Sequence, residues 1–376
     1  MGSQSHISTF LLYLLSLISW SLVIGERCNG KEPIIFNFGD SNSDTGGLLA
    51  GLGLPVGPPN GRTFFNEPTG RFCDGRLAID FLCESLNASY LSAYLESLAP
   101  NFKNGANFAI AGSATLPPFQ PFALNIQVSQ FLRFKTRTLQ LIKKDASLGS
   151  SLPSENGFQE ALYAFDIGQN DLSHAFSKNL TYQQVIRKIP TILSQIKSAI
   201  ELIHQQGGRK FWVHNTGPLG CLPQKVAMFG GKNVALDAAG CLSYFNEAAK
   251  VLNLGLRRVC AELRAELHDA TIIYVDIYAI KYDLIVNYSK YGFESPLMAC
   301  CGYGGPPFNF NDKVRCGQSG YINGRMVSAE ACKEGLRFVS WDGIHYTEAA
   351  NAIISSKILS TNYSQPPLRF DWFCST

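Results

Sequence analysis

Charged residues are scarce in this chain, 16% against 46% hydrophobic. That ratio excludes a disordered tail, which needs high charge and few apolar residues. Lys and Arg (32) barely outnumber Asp and Glu (29), and no basic run gathers them, so nucleic acid is not an expected partner. Familiar reaction signatures are missing as well: there is no GxSxG, no HExxH, no Walker A loop and no GxGxxG after the first strand. No CxxC pair and no Cys/His cluster has zinc spacing, so neither a metal nor a cofactor is expected. Beyond the first 25 residues no segment reaches the ~18 apolar residues of a membrane helix, and a stable membrane span is not expected. The chain also lacks internal repeats and low-complexity linkers.

What is present begins with a leader. Phe10 to Ile24 is an almost unbroken apolar run, short for a membrane span, and Val23 and Gly25 satisfy the small-residue rule for cleavage near Gly25. Residues 1–25 read as a signal peptide and 26–376 as a single domain. The 11 cysteines, an odd number, allow at most about five bridges with one thiol left over. Sequons at Asn87, Asn179, Asn287 and Asn362 predict N-glycosylation. Together these features predict a secreted, disulfide-containing glycoprotein of the extracellular space or cell wall.

Short apolar runs alternate with helical patterns, which predicts βαβ units and a parallel sheet. Strands are expected at Ile34 to Phe38, Asn107 to Ile110, Ala161 to Ile167, Lys210 to Asn215 and Thr271 to Val275. Helices are expected at Arg76 to Leu86, Ile126 to Lys144, Tyr182 to Gln206 and Leu242 to His268. In the last of these, Leu252, Leu256, Val259, Leu263 and Leu267 form one apolar stripe, which is core. The fold class is therefore α/β, three layers with a central sheet of about five parallel strands. Two Gly/Pro-rich stretches interrupt it. Gly51 to Gly61 reads as a long loop near a site, and Cys300 to Gly317 as a segment stapled by its own cysteines.

The first strand ends in FGDSNSDTG, Phe38 to Gly46. In an open parallel sheet the carboxyl ends of the strands form the ligand crevice, so Ser41 is presented there. A serine in a turn is more often a cap or turn former, and a nucleophile requires a base. Of the six histidines, two stand in Asp-x-x-His pairs, Asp171 with His174 and Asp342 with His345. About 0.2 such pairs are expected by chance. The spacing suits the chemistry because one turn brings the carboxylate to the imidazole, fixing its tautomer and stabilising the imidazolium.

FGDSNSDTG, then NFAIAGSAT at Asn107 to Thr115, GQND at Gly168 to Asp171 and DGIH at Asp342 to His345 occur in the order found in the GDSL, or SGNH, hydrolases. From about Pro33 to about Ser360 the chain resembles a plant member of that family. It departs at Asn42, where the family name has Leu. The resemblance implies a flavodoxin-like SGNH fold with Ser41 as nucleophile, His345 as base and Asp342 as triad acid. It implies an oxyanion hole made of the Ser41 and Gly112 backbone N–H groups and the Asn170 side chain. It also implies that Asp171 and His174, which adjoin the oxyanion asparagine, serve loop structure or pocket lining.

The chemistry is coherent on its own terms. His345 takes the Ser41 proton, the alkoxide attacks an ester carbonyl, and three donors hold the oxyanion. An amide suits the third donor because it does not titrate. The expected activity is carboxylic-ester hydrolysis through an acyl-enzyme, on small-molecule, lipid or polysaccharide esters. The FNFGDSNSDTGG version resembles a subgroup with nodulin-like, fucosidase-named and acetylesterase members, which implies short acyl or acetyl esters on carbohydrates or specialised metabolites. Two alternatives stand beside it: an acyltransferase sharing the acyl-enzyme, and a non-catalytic carbohydrate-binding or defence protein on the same scaffold.

Overall fold

Nearly every residue of five short strands is buried: β1 (Ile35–Gly39), β2 (Gly105–Asn107), β3 (Leu162–Asp166), β4 (Lys210–His214) and β5 (Thr271–Val275). Burial on both faces explains why they read as continuous apolar runs and not as alternation. The computed structural model describes Cys28, residues 32–117 and residues 121–375. The leader expected over residues 1–25 lies outside the described residues. The strands run parallel in the order β2-β1-β3-β4-β5, and Ser364–Gln365 adds a sixth, antiparallel strand beside β5. The fold is thus α/β with a mostly parallel sheet, and the order reverses at β1, which has β2 on one side and β3 on the other.

Among the described residues, the helices of eight or more residues are α1 (Ala78–Ser85), α2 (Leu124–Lys144), α3 (Gln169–Ser177), α4 (Ile189–Gln205), α5 (Ser243–Glu266), α6 (Ile277–Val286) and α7 (Glu348–Leu359). They form two layers around two cores. On one face Phe36, Phe38, Tyr163, Phe165 and Phe211 pack against Phe131 and Val128 of α2, Ile196 of α4 and Leu252 and Leu256 of α5. Phe38 stacks between Phe108 and Phe165 at 5.3 and 5.1 Å. On the other face Ile35, Ala164, Trp212 and Ile273 meet Leu82 of α1, Ile280 and Leu284 of α6 and Ile354 of α7.

The departures from the expected elements have physical causes. The second strand lies earlier than expected, because Gly105–Asn107 is the stretch in register with Ile35–Asn37. Phe108 and Ile110 still donate to Asn37 and Gly39 carbonyls at 2.8 and 3.2 Å, but the chain is already leaving the ladder toward Gly112. The single helix expected over Tyr182 to Gln206 is two, Tyr182–Ile186 and α4. Pro190 sits in the first turn of α4, where its missing N–H has no partner to lose. The stripe on α5 is core as expected, although Leu267 lies one residue past the helix and only packs against its edge. Helices α3, α6 and α7 were not expected; α6 and α7 carry apolar or small residues around most of their circumference and show no amphipathic stripe.

Four disulfides form, Cys28–Cys374, Cys221–Cys241, Cys300–Cys332 and Cys301–Cys316. The ceiling of five is not reached, because Cys73, Cys83 and Cys260 are buried thiols. Burial pushes all three thiols above their ordinary range. A thiol reagent should therefore find no reactive cysteine in the native protein and three after denaturation without reductant. One thiol, as a fifth bridge would leave, would contradict this pairing.

Candidate active site

The carboxyl edge of the sheet at β1 is where the sequence places Ser41, two residues past Gly39. Gly39 is needed for close approach and not for an unusual φ: a Cβ there would sit 2.6 Å from the Asp166 carbonyl oxygen and 2.8 Å from Ser43 Oγ. Gln127 of α2 holds this strand end from the side. Its amide oxygen accepts from Gly39 N at 2.9 Å and its amide nitrogen donates to Gly39 O at 2.8 Å.

After the turn, the buried Asp44 carboxylate accepts from the backbone N–H of Gly46 (2.8 Å), Gly47 (2.5 Å) and Leu48 (3.1 Å), and across the crevice from Ala111 N (2.7 Å). That last bond fixes Gly112 relative to Ser41. Gly112 has φ +81°, a left-handed conformation that favours glycine. Two strand asparagines complete the frame. Asn37 donates to Ser43 Oγ (3.0 Å) and to Asn107 Oδ1 (2.8 Å), while Asn107 donates to the Ser43 carbonyl (2.6 Å) and Thr45 Oγ1 (2.9 Å). Asn37, Asp44, Asn107 and Gln127 were not singled out from sequence. A polar side chain inside an apolar strand, as at Asn37 and Asn107, is the signal that was available.

Past β3, Gly168 begins α3, and Asn170 stands in its first turn. The Asn170 side-chain amide donates to the Ser113 carbonyl at 2.9 Å and to Asp40 Oδ2 at 3.3 Å. It therefore joins the Gly112 loop to the turn that carries Ser41. The next residue, Asp171, accepts from Thr115 N at 3.1 Å and from Thr115 Oγ1 at 2.5 Å. His174 lines a cavity of about 470 Å³ together with Thr115, Leu116, Asp171, Lys178 and Ile192. Asp171 thus braces the loop at Thr115, and both Asp171 and His174 line the cavity.

The second Asp-x-x-His pair is closed. His345 Nδ1 lies 2.6 Å from Asp342 Oδ2, and Asp342 Oδ1 accepts from the Ile344 and His345 amides at 2.9 and 2.8 Å. Burial works to raise the Asp342 carboxyl, but the His345 charge and these hydrogen bonds outweigh it and hold the group below the usual range. The loop is braced on all sides. Trp341 N and Ser340 Oγ donate to the His345 carbonyl, and Phe72 lies against the imidazole with centroids 5.2 Å apart. Cys300 N and Cys301 N donate to Ser340 O and Trp341 O. The stapled segment is thus a support for this loop, and its cysteines bond Cys332 as well as one another.

Ser41 and His345 are both largely buried, at 6% and 8% exposure, so each side chain is largely shielded from bulk water. A wider cleft of about 660 Å³ lies elsewhere, lined by Arg62, Arg76, Glu334, Arg337 and Glu348, and includes none of these residues. Among the described residues, Cys221, Asp237 and Cys241 approach one another with metal-like spacing, but both sulfurs are consumed by their disulfide. A hydroxyl at a tight turn, an imidazole backed by a carboxylate and a side-chain amide are the parts that a serine hydrolase uses.

Comparison with known proteins agrees. The family model GDSL-like Lipase/Acylhydrolase matches residues 35–358. A GDSL esterase/lipase of Arabidopsis thaliana is 57% identical over 373 residues, covering 98% of each chain. GDSL esterase/lipase LIP-4 of the same plant is 56% identical, over 98% of this chain and 97% of its own. Alpha-L-fucosidase 3, also from Arabidopsis thaliana, is 45% identical over 93% and 95% of the two chains. The protein is a carboxylic-ester hydrolase, and the chain belongs to the GDSL lipase/acylhydrolase family.

Burial pushes the Asp171 carboxyl up to about 6 against the hydrogen bonds from Thr115. With an unfolded value of about 3.9, the folded state binds the proton more tightly. Stability from this group is therefore fully present below about pH 4 and is lost as pH rises through about 6. Asp171→Asn should raise Tm relative to wild type at pH 8 and lose that advantage at pH 4. A difference in Tm that is constant across this range would contradict it.

Proposed function

We propose that the chain is a secreted esterase that cleaves short acyl or acetyl esters on carbohydrates or specialised metabolites through an acyl-enzyme on Ser41. The observation that carries the reading is the 2.6 Å Asp342–His345 contact, which directs the other ring nitrogen away from the carboxylate. His345 Nε2 takes the proton of Ser41 Oγ as Oγ bonds to the ester carbonyl carbon. Asp342 keeps the Nδ1–H tautomer and stabilises the imidazolium. The Ser41 and Gly112 N–H groups and the Asn170 amide hold the oxyanion. Collapse expels the alcohol, which leaves with the proton from His345, and water then repeats the sequence to release the acid.

The printed name of the fucosidase relative, a carbohydrate-acting enzyme, supports a carbohydrate as part of the substrate. Secretion and processing of residues 1–25, leaving 26–376 as one domain, is supported by the leader sequence and the four disulfides. Glycosylation is supported by the exposure of all four sequon asparagines, Asn87, Asn179, Asn287 and Asn362.

Ser41→Ala should abolish p-nitrophenyl acetate hydrolysis and fluorophosphonate labelling while Tm stays near wild type; labelling at the wild-type rate would overturn the nucleophile. His345→Ala should lower kcat by several orders of magnitude and His174→Ala should not. Asn170→Ala should lower kcat by about a hundredfold or more with KM little changed. If it raises KM alone, Asn170 binds substrate and is no oxyanion donor. Acetylated wall polysaccharide should be cleaved in preference to triglyceride.

A further inference from the structure

Beneath the nucleophile turn lies a buried charged cluster that takes no part in the bond-making steps proposed above. Lys281, on α6, is 5% exposed although it carries an ammonium. A buried lysine is rare unless paired, because leaving water costs several kcal/mol per ion. Its four partners come from three segments of the chain. Nζ donates to Asn42 Oδ1 at 3.3 Å and lies 4.4 Å from the centroid of the Tyr346 ring. Asp40, before Ser41, and Asp166, at the end of β3, both act on it electrostatically. His214, at the end of β4, faces Asp166 with Nδ1 3.5 Å from Oδ2, and accepts from Trp212 Nε1 at its other nitrogen.

The positions of those contacts matter more than the charge count. Asn42 is the residue after Ser41, and Tyr346 is the residue after His345. Asn42 is in turn tied back to Asp40, whose Oδ1 accepts from both Asn42 N and Asn42 Nδ2 at 2.9 Å. Lys281 is therefore in contact with both segments that carry the serine and the imidazole, and those segments are about three hundred residues apart in sequence. Asn42 is also where this chain departs from the letter that names its family. A leucine there has no oxygen to accept from Lys281.

We propose that Lys281 is a positioning residue for ester hydrolysis: by gripping Asn42 and Tyr346 it sets the separation and alignment of Ser41 and His345. The proposal rests on the esterase reading above. The ammonium–ring contact holds the imidazole loop, and the ammonium–amide contact holds the nucleophile turn. The two carboxylates keep the cation in place between them. Misplacement of reacting groups by about 1 Å costs on the order of a hundredfold in rate, so the lever is large even though Lys281 touches no substrate.

The test uses the full-length glycoprotein and three readouts: steady-state kinetics on p-nitrophenyl acetate, the second-order rate of fluorophosphonate labelling, and thermal unfolding. Lys281→Met should lower kcat about tenfold to a hundredfold and slow labelling in parallel, with KM within about twofold. Tyr346→Leu should do the same, and Tyr346→Phe, which keeps the ring face, should rescue most of the turnover. Lys281→Met and Tyr346→Leu combined should be no worse than the poorer single variant, because both cut one linkage.

Additive losses, or unchanged kcat in a folded Lys281→Met, would overturn the positioning role. If Lys281→Met fails to fold, the comparison of Tyr346→Leu with Tyr346→Phe decides: equal turnover in the two overturns it. A structural role alone would lower Tm and the fraction of labelled protein without slowing the labelling rate of the folded fraction. A wild-type protein that is never labelled would overturn the esterase reading itself, whereas a labelled wild type with indifferent variants would overturn only Lys281.

Discussion

One buried carboxylate organises the catalytic edge of this protein. Asp44 takes four backbone N–H groups, three from the chain that follows it and one from Ala111 across the crevice. Such a carboxylate is held in place by geometry and not by a counter-charge, since burial pushes its pKa up while each amide pulls it back down. Removing any of these donors leaves a desolvated acceptor, which costs about 1–3 kcal/mol. The arrangement makes the loop after β1 and the loop after β2 a single rigid unit. Ser41 belongs to the first loop and Gly112 to the second.

The rest of the frame extends the same logic to the neighbouring strands. Parallel strands end with unpaired backbone groups at their carboxyl edge, and a crevice there must satisfy them with side chains. Gln127 does so for Gly39 and Asn107 for the Ser43 carbonyl, Asn37 holds the Ser43 hydroxyl beside it, and Asn170 bonds the Ser113 carbonyl. The site sits at the one place where the strand order reverses. There β1 sends its loop between those of β2 and β3.

How much of this was legible in the sequence follows from which forces leave a linear trace. Burial on both faces writes apolar runs, so β1, β3, β4 and β5 are legible, β5 at Thr271–Val275 to the residue, whereas β2, a Gly-Ala-Asn stretch, lies two residues before its expected start. The stripe on α5 was equally plain. Helices α6 and α7 escaped because they are apolar or small on most sides, and the break before α4 because its Pro190 occupies a helix start and not an interior. In the site, short-range chemistry was readable: Asp342 and His345 are three residues apart and bond as expected. Partnerships across the fold, such as Asp44 with Ala111 or Lys281 with Asn42 and Tyr346, join segments whose proximity only the topology creates.

The same polar frame bears on how a negative charge can develop in so acidic a place. Asp40 and Asp166 both lie near Ser41, and burial with the charge of Asp166 pushes the Asp40 carboxyl up to about 7. A carboxyl whose ionisation is disfavoured in this way opposes an oxyanion less than an ordinary carboxylate would. Asp166 is treated differently: burial raises it, but the adjacent His214 imidazole and the charge of Lys281 hold it below the usual range. Asn170 meets the same problem by geometry. Its bond to the Ser113 carbonyl is 2.9 Å, whereas its bond to Asp40 is 3.3 Å. In the proposed mechanism the weaker bond is the one exchanged for the oxyanion, so the amide turns to substrate without releasing the loop that carries Gly112.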